Sequence, residues 1–243
     1  MRSPRSGSIV KAIAITAITL VVATGCAGER PPKNEDPGIE VMDASGATED
    51  EAVEMPLNEQ YDLASERHRE LNDRFAELQA EIFEDEWREG ATESEVVPAA
   101  AKTLGQLPDP SGKNSYYFSV HRWHPVQGDV AELVERIGMS WEAKGLNVRQ
   151  ETSEISGQIR VVATTPDGFW FSADEEGTEL KLTGSSPAYW GAQLDLAVAI
   201  AERRDAEDAA GATWDTADLD EDGYSYRIPG VYRPVPAWDA IPE

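Results

Sequence analysis

The chain has a single cysteine, Cys26, among 243 residues. No internal disulfide can form, and no thiolate cluster can hold a metal, so the domain beyond Cys26 must fold on its core alone. Positive charge is also scarce. Twenty-one Lys and Arg face 46 Asp and Glu, a net charge of −25. Such a balance opposes nucleic acid and anionic headgroups, and nucleic acid is excluded as a partner. A glycine-rich phosphate loop is missing. The stretch GSSPA (184–188) lacks the second glycine of a G-x-S-x-G elbow. Of three histidines, His121 and His124 stand three apart in a strand-like run, which sends them to opposite faces. No serine is paired convincingly with a histidine and an acid. The chain is therefore expected not to be an enzyme, with an envelope hydrolase built on a carboxylate pair as a lesser alternative.

Long apolar runs are absent too, the longest being AIAITAITLVVA from Ala12 to Ala23. That is short of the ~20 residues a spanning helix needs. Preceded by Arg2, Arg5 and Lys11 and followed by small residues, it reads as an export signal. At Ala23-Thr24-Gly25-Cys26 it resembles the lipobox of bacterial lipoproteins, with Ala23 in place of the usual leucine. The resemblance implies diacylglyceryl transfer to Cys26, cleavage after Gly25 and acylation of the new terminus. Two acyl chains anchor stably where one does not. The expected address is extracytoplasmic, lipid-anchored to the cell membrane.

Residues 1–25 are thus a signal peptide and 26–56 a lipidated disordered tether, too rich in Glu, Asp, Pro and Gly to bury a core. From Leu57, apolar residues recur alternately four and three apart through Tyr61, Ala64, His68, Leu71, Phe75, Leu78 and Ile82. This predicts a helix to about Trp87, docked on its own domain or paired in a coiled coil. Residues 90–114 read as loop. SYYFSVHRWH (115–124) alternates as a strand, 129–144 as a helix ended by Gly145, and strands follow at 146–152, 158–165, 169–173 and 178–183. Another helix covers about 192–208. The expected domain, 57–209, is α+β: an antiparallel sheet of four or five strands with helices packed on it. The acidic tail, 210–243, rich in proline and aromatic rings, is expected to pack along the domain in extended form.

Period two turns Tyr116, Phe118, Val120, Val161, Phe171, Leu180 and Leu182 inward. The opposite face then collects Tyr117, His121, Trp123, Arg149, Arg160, Trp170 and Lys181, a basic and aromatic surface suited to an anionic or aromatic partner. Cover by the first helix or by the tail is the alternative. In the tail, DLDEDG places Asp218, Asp220 and Asp222 like the first half of an EF-hand calcium loop. Pro229 occupies the position where a bidentate Glu is needed, so calcium is a weak expectation and no other cofactor is expected.

Taken together, YYFSV, TTPDGFWF and LTGSSPAYWG resemble the small LppA-like lipoproteins of actinobacterial envelopes over residues 57–191 at most. That likeness implies an envelope location and supplies no reaction. The function expected is a non-catalytic binding or assembly module of the envelope, with a small-molecule or lipid carrier as the alternative.

Overall fold

The computed structural model describes residues 41–90, 98–101, 107–108, 111–211, 220 and 223–240. The expected signal, with Gly25 and Cys26, lies outside them. Four α-helices occur among the described residues: α1 (Glu49–Glu54), α2 (Leu57–Ile82), α3 (Val130–Ala143) and α4 (Gln193–Ala209). Strands β1 (Trp87–Gly90), β4 (Ser119–Pro125), β5 (Asn147–Thr152), β6 (Ile159–Thr164), β7 (Trp170–Glu176), β8 (Glu179–Ser185) and β10 (Tyr224–Arg227) form one sheet. A smaller sheet holds β2 (Ala99–Ala100), β3 (Ser115–Tyr117) and β9 (Tyr189–Trp190).

The large sheet runs β10-β1-β4-β8-β7-β6-β5, antiparallel throughout. The five expected strands are its contiguous β4-to-β5 part. Two more strands, β1 and β10, bring it to seven. The expected single strand at 115–124 divides at Phe118. The Phe118 N–H donates to Ser186 Oγ at 3.0 Å and its carbonyl accepts from Ser186 N at 2.9 Å. β3 on one side of this break pairs with β2 and β9, and β4 on the other with β8 and β1.

Helix α2 forms because its apolar seam finds a sheet to cover. Tyr61, Ala64, His68, Leu71, Phe75 and Leu78 are all buried. The seam is thus consumed within the domain rather than in a coiled coil. α3, capped by Asp129 Oδ1 accepting from Glu132 N at 3.1 Å, packs beside it on β5, β6 and β7. Gly145 ends that helix with φ +84°, a left-handed value that glycine adopts without strain. Contact is close: a Cβ on Gly138 would lie 2.9 Å from Val161 Cγ1, and one on Gly184 2.8 Å from Phe75 Cδ2. Trp87, Trp141, Phe118 and Phe171 complete this core, and none of them is more than 2% exposed. α4 packs on α2, and the segment through Val235 and Trp238 packs against both.

Residues 41–56 of the expected disordered tether, 26–56, are ordered. Asp43 is buried, its Oδ1 accepting from Ser45 N (2.7 Å) and Ala47 N (3.1 Å), and its Oδ2 from Trp190 N (3.0 Å). Trp190 Nε1 in turn donates to the Val41 carbonyl at 3.1 Å. Thr48 and Glu51 then form a reciprocal capping box that starts α1. Composition had concealed this order, because it is made by polar side chains closing on backbone rather than by apolar burial. Among the described residues no helix is long and apolar enough to cross a membrane.

Candidate functional site

Both α2 and α3 press on one face of the seven-stranded sheet, the face of Val120, Gly184, Phe171 and Val161. The alternate residues point to the other, outer face. Register aligns them in rows across the strands. The longest row runs Tyr226, Arg88, Trp123, Lys181, Asp174, Arg160, Glu151, one residue from each strand. The next is His121, Thr183, Ser172, Val162, Arg149, and the third begins Ser119, Ser185, Trp170.

Six of the seven residues expected on this face are therefore brought together: His121, Trp123, Arg149, Arg160, Trp170 and Lys181. Tyr117 is not among them. It belongs to β3 in the small sheet, where it packs by Ala52, Ala101, Leu107 and Trp190. The break at Phe118 removes it from the large sheet. Arg88 joins the row instead. Its segment, WREG after an acidic run, carries one apolar residue and gives no strand signal.

The face is also less basic than its residue types suggest. Arg160 pairs with Asp174, Arg88 with Glu179, and Arg149 Nε with Glu151 Oε1 at 2.9 Å. Trp123 donates its indole N–H to Glu176 Oε2 at 2.9 Å, with Lys181 Nζ 5.1 Å and the Arg88 guanidinium carbon 5.6 Å from its ring. Arg88 also stacks on Tyr224 at 4.4 Å. Neighbouring carboxylates thus neutralise the arginines, and the expected pull on an anion is largely cancelled. The sequence could not show the Arg160 and Arg88 pairs, because their partners come from other strands, whereas Arg149 and Glu151 lie two apart on β5.

A polar cluster lies inside the second and third rows. His121 Nδ1 is 3.2 Å from Thr183 Oγ1 and its Nε2 3.4 Å from Ser119 Oγ, which also donates to the Gly184 carbonyl at 3.2 Å. Serine and histidine do meet here, which sequence spacing had not revealed. Burial, then the charges of Lys181 and Arg122, push His121 down to about 4, so it is neutral at pH 7. A group with so low a pKa is a weak base, and a hydroxyl occupies the place of the carboxylate that would orient it. The cluster chemically suits a cross-strand pin between β4 and β8.

At the ends of β5, β6 and β7 lies a cleft of about 310 Å³, lined by Glu151, Arg160 and Asp174 of the outer face, by Glu175, which register assigns to the helix side, and by Ser153 and Gln158 among others. A second, of about 200 Å³, lies between α2 and α3 at Glu81, Arg136 and Trp141. Both are surface clefts bordered by charged side chains. Where a carrier would need an apolar cavity, between sheet and helices, Phe75, Val120 and Phe171 crowd Gly184.

Of the expected calcium ligands, Asp218 and Asp222 lie outside the described residues. Asp220 engages both carboxylate oxygens with β10, Oδ1 accepting from Tyr224 N at 2.9 Å and Oδ2 from Tyr226 Oη at 3.0 Å. It serves as a turn-forming residue at the start of β10. Among the described residues no group of three or more His, Cys, Asp or Glu could hold a metal ion. His68, foreseen as a packed residue, has its ring edge-on to Phe118 at 5.1 Å and to Tyr232 at 5.6 Å. No protein-family profile, no curated protein and no solved structure matches the chain.

Proposed function

We propose that the chain is a membrane-anchored extracytoplasmic lipoprotein whose α+β domain is a non-catalytic binding module of the cell envelope. Its anchor is lipid on Cys26, and its working surface is the outer face of the seven-stranded sheet. The likeness to LppA-like envelope lipoproteins belongs to the same reading. The observation that carries the surface is the asymmetry of the sheet. Helices α2 and α3 take the apolar face, while the other aligns polar and aromatic side chains from all seven strands in one row. Side chains of Arg149, Arg160 and Glu151 on it are 68%, 47% and 46% exposed.

Two measurements test the two halves. Radiolabelled palmitate should enter the wild-type chain and not a Cys26→Ala variant, and label in the variant sinks the anchor. A photoreactive residue at Trp170 should give envelope adducts that the same residue at exposed Met139 on α3 does not. Equal adducts at both positions sink the face. An Arg160→Ala, Trp170→Ala double variant should keep its fold and lose the adducts formed from a probe at Arg149.

A further inference from the structure

We propose that the cleft at the β5–β6–β7 strand ends and the outer-face row leading out of it bind a neutral glycan chain, an inference that rests on the outer-face reading above. A sugar hydroxyl donates and accepts at once, so its site needs donors and acceptors interleaved. The cleft supplies this. Arg160 and Gln158 donate, Glu151, Asp174 and Glu175 accept, and Ser153 does both. Each acceptor is already held in place. Glu175 Oε2 accepts from Ile159 N at 3.0 Å, Asp174 Oδ2 from Ser172 Oγ at 2.7 Å, and Glu151 faces Arg149. A carboxylate has about four lone-pair sites, which leaves each of them capacity for a hydroxyl.

Charge decides against other ligand classes. An anion entering the cleft would meet three carboxylates and one guanidinium, itself paired with Asp174. A cation would compete with Arg160 and Arg149, which already neutralise two of the three carboxylates. A neutral polar ligand meets neither cost. From the cleft the row continues across β7 and β8 to Trp123. At ~4.8 Å per strand, Trp123 lies roughly 14 Å from Arg160, a distance that suits a chain of sugars rather than one ring. The half-buried indole there, with Lys181 and Arg88 beside its ring, ends the row in apolar ring set among polar donors, the mixture that a sugar's C–H and O–H groups match.

The test is native affinity electrophoresis of the purified full chain in detergent, through gels carrying laminarin, dextran, galactan or mannan, with polygalacturonate and oligolysine as charged comparisons. At least one neutral polysaccharide should retard the protein. Glu151→Gln, Gln158→Ala and Trp123→Ala should each weaken that retardation at least tenfold while thermal unfolding stays cooperative. Retardation that all three variants retain overturns the proposal. Retardation by a charged polymer alone also overturns it, and leaves the outer face as a binding surface if the variants lose that retardation. No retardation by any polymer overturns the glycan. The face reading then stands if adducts from Trp170 persist and falls with it if they do not.

Discussion

The guanidinium carbon of Arg203 lies 3.8 Å from the centre of the Trp238 ring, and its Nε donates to the Trp238 carbonyl at 2.7 Å. The same side chain donates to the Ala199 carbonyl at 3.0 Å and lies 5.1 Å from the Tyr61 ring, while Tyr61 Oη donates to the Pro236 carbonyl at 2.9 Å. One buried arginine therefore fastens α4, α2 and the C-terminal segment together. Lysine has no planar group to stack and no Nε donor. Arg203→Lys should lower stability by about 1–3 kcal/mol in urea unfolding. An unchanged midpoint would mean that the segment is held chiefly by Pro236 and its neighbours.

Gly184 should not tolerate a methyl group. A Cβ there would stand 2.8 Å from Phe75 Cδ2 and 3.1 Å from Val120 Cγ1. Gly184→Ala is expected to cost about 1–3 kcal/mol through overpacking. A companion Phe75→Leu change should recover part of the loss. If the single variant melts with the wild type, the packing between α2 and the sheet is looser than described.

The His121 pin carries a pH signature. Its folded pKa, about 4, lies below the ordinary 6.5, so between those values the unfolded chain binds more protons. Stability from this residue is full above pH 6.5, declines as pH falls toward 4 and is gone below it. The total is on the order of 1–3 kcal/mol. In His121→Gln the slope of stability against pH over that window should flatten. An unchanged slope would assign the pH dependence to other groups.

The tight turn after β6 is tied to α2 by an ion pair. Arg74 Nη2 lies 2.6 Å from Asp167 Oδ2, with Glu70 at 2.7 Å on the same nitrogen. Burial alone would raise the Asp167 pKa, but hydrogen bonds from Arg74 and Thr165 outweigh it and hold the carboxyl below its usual value. A depressed carboxyl stabilises the fold above the unfolded pKa and loses that contribution as pH falls through the folded one. Asp167→Asn should cost no more than about 1 kcal/mol at neutral pH, since the pair is partly solvated. The difference from wild type should vanish in acid. A difference that persists at pH 2 would point to lost packing instead.

Asp43→Ala should open the first folded residues. It removes acceptors for Ser45, Ala47 and Trp190 and leaves the Trp190 N–H buried. The cost should be about 2–3 kcal/mol, with faster hydrogen exchange at Trp190 and proteolysis before Leu57. Slow exchange retained at Trp190 would place its protection in the β3–β9 pairing alone.

Legibility followed physical scale. The α2 seam, the α3 helix and its glycine stop, and the five central strands were readable because each repeats a local period. Six of the seven residues expected to share a face lie on one face of the sheet for the same reason. Tyr117 failed where the chain leaves one sheet for another at Phe118, a change made by Ser186, far along the sequence. β1 and β10 were invisible because each draws its strand character from the neighbour it pairs with. The neutralised charge of the face was equally hidden. Parity says which way Arg160 points, and only register says that Asp174 lies opposite.

At the first described residues the Val41–Asp43 contacts end on Trp190 in β9. Mechanical tension arriving along the N-terminal chain is therefore delivered first to the three-stranded sheet. Seven-stranded register is not in series with that load. A tug applied at Val41 is taken up at Trp190, and the rows of the outer face hold their spacing while it lasts.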